Sequence, residues 1–183
     1  MNANNARFLL EQYMNGKDNV KPNVLESVFT KHADVVFDIK PNNIYFPDVL
    51  TGAKNISTEM FGEFHDKFKD VKSYYVDSDV ESLLDKKAIK QQRWLVTMTE
   101  RETSNTRIGA GYYSWYFMEE GTDIKVGRLE ITILEMVSFA AEEDNWLTNL
   151  QSNLLDYPWV SSCDPFKTFE RYSELETIDR FIK

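Results

Sequence analysis

Apolar and polar residues alternate with a period of two over 92–102, 107–118 and 124–139, and that pattern predicts three long β-strands. Ser104-Asn105 sits in the first gap and Glu119-Glu120-Gly121-Thr122 in the second. Both gaps are rich in turn formers, so the three strands should fold back on one another as an antiparallel meander. A two-residue turn at Ser104-Asn105 would pair Trp94 with Trp115, Val96 with Tyr113 and Met98 with Gly111. Side chains two apart share a face. Trp94, Val96, Met98, Tyr113, Trp115, Leu129 and Ile131 therefore gather on one apolar and aromatic side. The reverse side mixes Arg93, Leu95, Thr97, Tyr112, Ser114, Tyr116, Arg128, Glu130 and Thr132. The first side is expected to meet helices, the second water or another subunit.

Ahead of the meander the period lengthens. Residues 4–15 carry Phe8, Leu9, Leu10, Tyr13 and Met14 at helical spacing, with Gly16 as the expected stop. Pro22 and a capping box of Asn23 and Glu26 predict a short second helix that buries Val24, Leu25, Val28 and Phe29. Residues 33–39 alternate as a strand, with Val35, Phe37 and Ile39 on one face and Asp34 and Asp38 on the other. Pro41-Asn42-Asn43 then turns the chain into a short extended run, 44–46. After Gly52, a stripe of Ile56, Met60, Phe61, Phe64 and Phe68 predicts a third helix over 53–69. Residues 71–76 read as a strand, and the polar segment 77–90 as a loop with room for one helical turn. Past Phe139 a short helix is expected over 145–155, broken by Tyr157-Pro158. The aromatic spacing from Phe166 to Phe181 predicts an amphipathic tail. So many aromatics should dock, which makes 140–183 a helical extension lying on a domain formed by 1–139.

Two helices, a strand, a longer helix and a long meander make an α+β layout. This order is similar to that of the NTF2-like superfamily and, within it, the SnoaL-like proteins. Two stretches carry the resemblance: VLESVFTKHADVVFDI at 24–39, like the family's helix running into a strand, and LTGAKNISTEMFGEF at 50–64, like its glycine before a long helix. The resemblance spans about 5–139 and implies a cystatin-like cone, a curved antiparallel sheet wrapped around the N-terminal helices and one long helix. It also implies a pocket that often holds hydrophobic ring systems. The superfamily includes ketosteroid isomerase, scytalone dehydratase, polyketide cyclases and epoxide hydrolases, beside members without known catalysis, so fold alone does not choose. The small β-subunit of ring-hydroxylating oxygenases shares the fold, but no motif here supports it. This chain departs from the isomerase pattern at two places. Ile39 stands where the first-strand base would be, with Asp38 of opposite parity beside it. Leu9 stands where the helix tyrosine would be, with Tyr13 one turn later. Lys72 and Ser73 occupy the region where many SnoaL-like enzymes place a histidine.

Composition narrows the function further. The 183 residues suit one domain with a sizeable core, and 14% aromatic content argues against disorder. A net charge of −9 disfavours nucleic acid and anionic membranes as partners. One cysteine, Cys163, excludes an internal disulfide framework. With no basic, apolar leader and no apolar run near the ~20 residues that span a bilayer, a cytoplasmic location is the expectation. The two histidines, His32 and His65, and that one cysteine make no usual zinc site, and no phosphate loop or Ser–His–Asp pattern is present. Neither a metal nor another cofactor is expected.

The candidate site follows from these patterns. His65 borders the apolar helix stripe and is the candidate acid or base. Tyr113 is its hydrogen-bonding partner, and Asp38 is a reserve base if a bulge turns it inward. Trp94, Trp115, Val96, Met98, Phe61 and Tyr13 are expected to line the pocket. The expected activity is binding of a small hydrophobic or aromatic molecule, with cofactor-independent dehydration, isomerisation or cyclisation as an option. The alternative is a non-catalytic dimerisation or interaction module filled by its own aromatics. A homodimer through the mixed sheet face is expected, where Arg128 of one copy could pair with Glu130 of the other; the competing expectation is that the tail from Phe166 to Phe181 folds back over this same face and leaves a monomer.

Overall fold

A computed structural model describes residues 1–183, the Glu63 side chain excepted. The N-terminal helices are α1 (Ala3–Asp18), α2 (Pro22–Val28), α3 (Ala53–Glu59) and α4 (Gly62–Lys67). Strands β1 (Phe29–Ile39) and β2 (Val49–Thr51) fall between α2 and α3. After α4 come β3 (Phe68–Tyr75), the single turn α5 (Val80–Leu83) and β4 (Leu84–Asp85). The meander is β5 (Ala88–Glu100), β6 (Thr106–Glu120) and β7 (Asp123–Phe139). The tail holds α6 (Trp146–Asn153), 3-10 turns at Asp164–Arg171 and Ser173–Leu175, and α7 (Glu176–Ile182). One seven-stranded sheet runs β2-β1-β7-β6-β5-β3, with β4 on β5. All its pairings are antiparallel except β1 with β7. Register shifts at Phe29/Asp34, Lys69/Lys72, Ile89/Gln92 and Ala110/Gly111 place extra residues on one strand of a pair. Such bulges bend a sheet, and here they help curve an α+β, NTF2-like cone around the N-terminal helices.

Four local expectations change. Gly16 does not stop α1, which runs on to Asp18. A Cβ at Gly16 would lie 2.8 Å from the Leu25 backbone nitrogen, so the glycine lets α1 and α2 approach closely. Helix α2 starts with Pro22 in its first turn, behind Lys21, so Asn23 is not its cap. The expected long third helix breaks into α3 and α4 at Met60–Gly62, where the Phe61 N–H turns back to Thr58 O in a tight turn. The first hairpin closes through a wider loop than two residues. Thr99 pairs with Thr106, and Ser104, at φ 61°, donates its N–H to Glu100 O. Met98 therefore faces Arg107 and Trp94 faces Gly111, a slip of four residues. An even slip keeps every side chain on its expected face. Gly111 lies where Trp94 and β7 crowd the strand: an added Cβ would fall 1.9 Å from Thr132 O and 2.9 Å from Trp94 Cζ2. Gly111→Ala should cost about 1–3 kcal/mol or more in urea denaturation. Gly62→Ala, whose Cβ meets nothing within 4 Å, should cost none.

The core lies on both sides of the sheet. Tyr13, Leu25, Ile56, Trp115 and Leu129 are buried on the concave side under the N-terminal helices. On the convex side Leu95, Ile108, Ala110 and Phe139 are buried with Trp146, Leu150, Phe166, Phe169 and Ile178 of the tail. The tail is also stitched to the sheet edge. Tyr75 donates its N–H to Pro158 O at 2.7 Å, Val160 returns one to Tyr75 O, and Trp159 Nε1 donates to Glu11. Of the two occupants expected for the mixed face, the tail covers part of it: Leu95 and Thr97 are buried, with Gln151 Nε2 donating to Thr97 Oγ1 and the Phe181 ring against Tyr112. Ser114, Tyr116, Glu130 and Thr132 stay half-buried, and Arg128 pairs with Glu130 of its own chain at 2.9 Å. Among the described residues no helix is long and apolar enough to cross a membrane.

Candidate functional site

A cavity of about 60 Å³ opens between α1, the helix pair α3–α4 and the concave face of the sheet. Its walls are mostly apolar: Val96, Met98, Ile131 and Ile133 from the sheet, Met60 and Phe64 from the helices, and Ile44 and Phe46 from the loop after β1. Helical spacing puts Tyr13 and Lys17, four apart on α1, on the same wall. Alternation on β3 places Val71 and Ser73 there, and Trp94 and Tyr113 come from β5 and β6 with rings stacked at 5.3 Å. Tyr13 closes the floor edge-on to both Tyr113 and Trp115.

The polar groups on this wall are of two kinds. Trp94 Nε1 is buried without a hydrogen-bond partner among the described residues, and the Tyr13 hydroxyl has none in full hydrogen-bond geometry, with only the Tyr113 hydroxyl within reach of it. Burial in apolar surroundings pushes the Tyr13 and Tyr113 hydroxyls well above the usual tyrosine range, so both remain protonated donors at neutral pH. Lys17 and Ser73 belong to a satisfied cluster. Lys17 Nζ pairs with Asp18 and lies 2.6 Å from Ser73 Oγ. The Asp18 carboxylate also accepts from the Ser73 N–H, from Ser73 Oγ at 3.1 Å and from the Tyr157 hydroxyl at 3.0 Å. The cluster thus fixes the Lys17 ammonium at the cavity edge with its charge balanced.

The residues expected from sequence are divided by the structure. Tyr13, Trp94, Val96, Met98 and Tyr113 line the cavity. Trp115 lies behind Tyr13, and its Nε1 is satisfied by Gln92 Oε1 at 3.0 Å, which makes it a packing residue. Phe61 and His65 are not on the wall, because the break before α4 turns Phe64 inward in their place. The His65 ring rests against Phe61 and Phe64, and burial, then the Lys17 charge, lowers its pKa. Asp38 points away, exposed and paired with Lys40, since no bulge falls near it. Lys17, Asp18 and Ser73 were missed because they lie past the assumed end of the first helix and on a strand read only for its alternation. The i, i+4 spacing of Tyr13 and Lys17 is the signal that could have found one of them.

A wider groove of about 1000 Å³ lies elsewhere, open to solvent between α2, α3 and β1. Glu120 there accepts from Lys125 and from the Lys31 N–H, and among the described residues no unpartnered buried group stands in it. Among the described residues no group of three or more His, Cys, Asp and Glu is placed to hold a metal ion.

Neither a family model nor a curated protein matches the chain. Solved structures do. A hexachlorocyclohexane dehydrochlorinase, LinA type 2, aligns with a TM-score of 0.61 at 11% identity, over 76% of this chain and 90% of that one. An NTF2-like superfamily protein from Salmonella enterica serovar Typhimurium aligns at 0.55 and 11% identity, over 77% and 93%. The chain has the NTF2-like fold. A scytalone dehydratase-like protein from Novosphingobium aromaticivorans also shares this NTF2-like architecture, at a TM-score of 0.52 and 14% identity over 76% and 88%. Identities this low carry the NTF2-like fold alone.

Proposed function

We propose that the protein binds a small, largely apolar molecule that presents a hydrogen-bond acceptor, such as a ketone or quinone oxygen, to the floor of the cavity. The observation that carries this reading is the pair of unpartnered donors, Tyr13 OH and Trp94 Nε1, on the wall of one apolar space. A buried donor without a partner costs about 1–3 kcal/mol, and an acceptor from a ligand would recover it. The enzymes among the structural neighbours make proton-transfer chemistry an option. Here it would draw on Tyr113 and Lys17, since His65 and Asp38 are off the wall. Among the described residues of the wall there is no unpaired carboxylate or imidazole to abstract a proton, so binding is favoured over turnover. The small volume supports a second reading, an interaction module whose cone is filled by its own aromatics.

Titration of acetophenone and of its isostere α-methylstyrene, both larger than the cavity as it stands so that binding requires its walls to move aside, followed by tryptophan fluorescence, separates the two readings. The ketone should bind more tightly, and Tyr13→Phe should weaken it about fivefold, which corresponds to one hydrogen bond of about 1 kcal/mol. The same substitution should leave the unliganded protein as stable or more so, because it removes a buried hydroxyl with no partner. Failure of both compounds to bind would favour the filled module.

A further inference from the structure

The cavity has a neighbour. Ile44, Phe46 and Phe64 line it and also line an outer groove of about 380 Å³, so these three side chains stand between the two spaces. Alone, the cavity offers roughly the volume of two waters, at about 30 Å³ each. The groove already lies in the range of roughly 300–1,000 Å³ common to small-molecule sites, and joined to the cavity it would gain a deep apolar end. At this partition Phe46 is stacked on Phe37 and tilted against Phe64.

The chemistry of the groove differs from that of the cavity. Arg107 lines it, 7% exposed and seated over the Phe68 ring at 5.1 Å. A guanidinium carries five N–H donors. Here Nη1 meets Glu100 at 3.3 Å, Nη2 donates to Asn43 O, and Nε is buried without a partner among the described residues. One long ion pair and one carbonyl under-compensate a cation this deep. Beside it the groove is aromatic, with Tyr45, Phe46, Phe64 and Phe68 on its walls.

We propose that the groove is the second compartment of the ligand site and that the ligand is an amphipathic acid, whose apolar end passes Phe46 and Phe64 into the cavity while its carboxylate pairs with Arg107. This rests on the cavity being a binding site. A carboxylate matches the planar fork of the guanidinium. The aromatic walls suit the hydrocarbon between the two ends.

Binding of 4-phenylbutanoate and of its methyl ester, measured by calorimetry at pH 7 and low salt, tests this directly. The acid should bind at least tenfold more tightly than the ester, and Arg107→Met should abolish the preference. Gly62→Asp is the second variant, since Gly62 lines the groove and its Cβ meets nothing within 4 Å. The new carboxylate should reduce the preference even if Arg107→Met does not fold. Equal affinities of acid and ester in the unaltered protein would overturn the second compartment and leave the cavity reading standing. A preference that survives both substitutions would overturn it as well. If neither compound binds while acetophenone does, this inference falls and the cavity reading stands; if acetophenone fails as well, both fall.

Discussion

A chain ending after Asp144 is expected not to fold as a soluble monomer. The convex face of the sheet is a core surface: Leu95, Ile108, Ala110 and Phe139 are buried there under residues of the tail. Trp146, Leu150, Phe166, Phe169 and Ile178 supply much of that cover. At about 1.5–3 kcal/mol for each large apolar side chain, these five alone are comparable with the ~5–15 kcal/mol net stability of a typical domain. Truncation also removes the bonds of Pro158 and Val160 to Tyr75 and so exposes the end of β3 as a free edge. Light scattering and near-ultraviolet circular dichroism should show aggregation or loss of fixed aromatic packing. A truncated chain that stays monomeric with the native spectrum would refute the assignment. A folded, truncated dimer would show instead that two convex faces can replace the tail.

Removing the Asp18 carboxylate is expected to have the second largest effect. Its side chain is 2% exposed and that of Lys17 14%. Asp18 receives Lys17, Ser73 and Tyr157, so one carboxylate joins the end of α1, strand β3 and the tail. Taking away one partner of a buried pair strands the other charge, at a cost of about 3–5 kcal/mol. Asp18→Ala should lose stability of that order in urea denaturation, and the cavity should lose its fixed Lys17. Adding Lys17→Met removes the stranded charge and should restore part of the loss. If Asp18→Ala stays within about 1 kcal/mol of the unaltered protein, the exposed-pair range, the cluster is not the clamp described.

Parts of the site were legible because they depend only on parity. Trp94, Val96, Met98 and Tyr113 reach the cavity although the first hairpin slips by four residues. Trp115 has the same parity, yet Tyr13 and Gln92 enclose it. Whether a residue on the right face ends in the core or at a cavity depends on what packs over it, and periodicity carries no information about that. His65 fails for a related reason. It only borders the stripe, and Phe64, a member of the stripe, takes the wall beside it.

What this sequence determined by itself is the set of local periods: two in the meander and 3.6 in the helices, hence the α+β order and the facing; the cone was only what the resemblance to the NTF2-like superfamily implied. Those periods follow from backbone geometry, which each residue feels within a few neighbours. Tertiary structure alone decided which polar groups meet. Lys17 and Asp18 find Ser73 and Tyr157, 55 and 139 positions from Asp18, only because α1, the β3 edge and the tail converge there. It also left Tyr13, Trp94 and Arg107 with unpartnered donors, since whether a buried group is satisfied depends on distant atoms that no local pattern encodes.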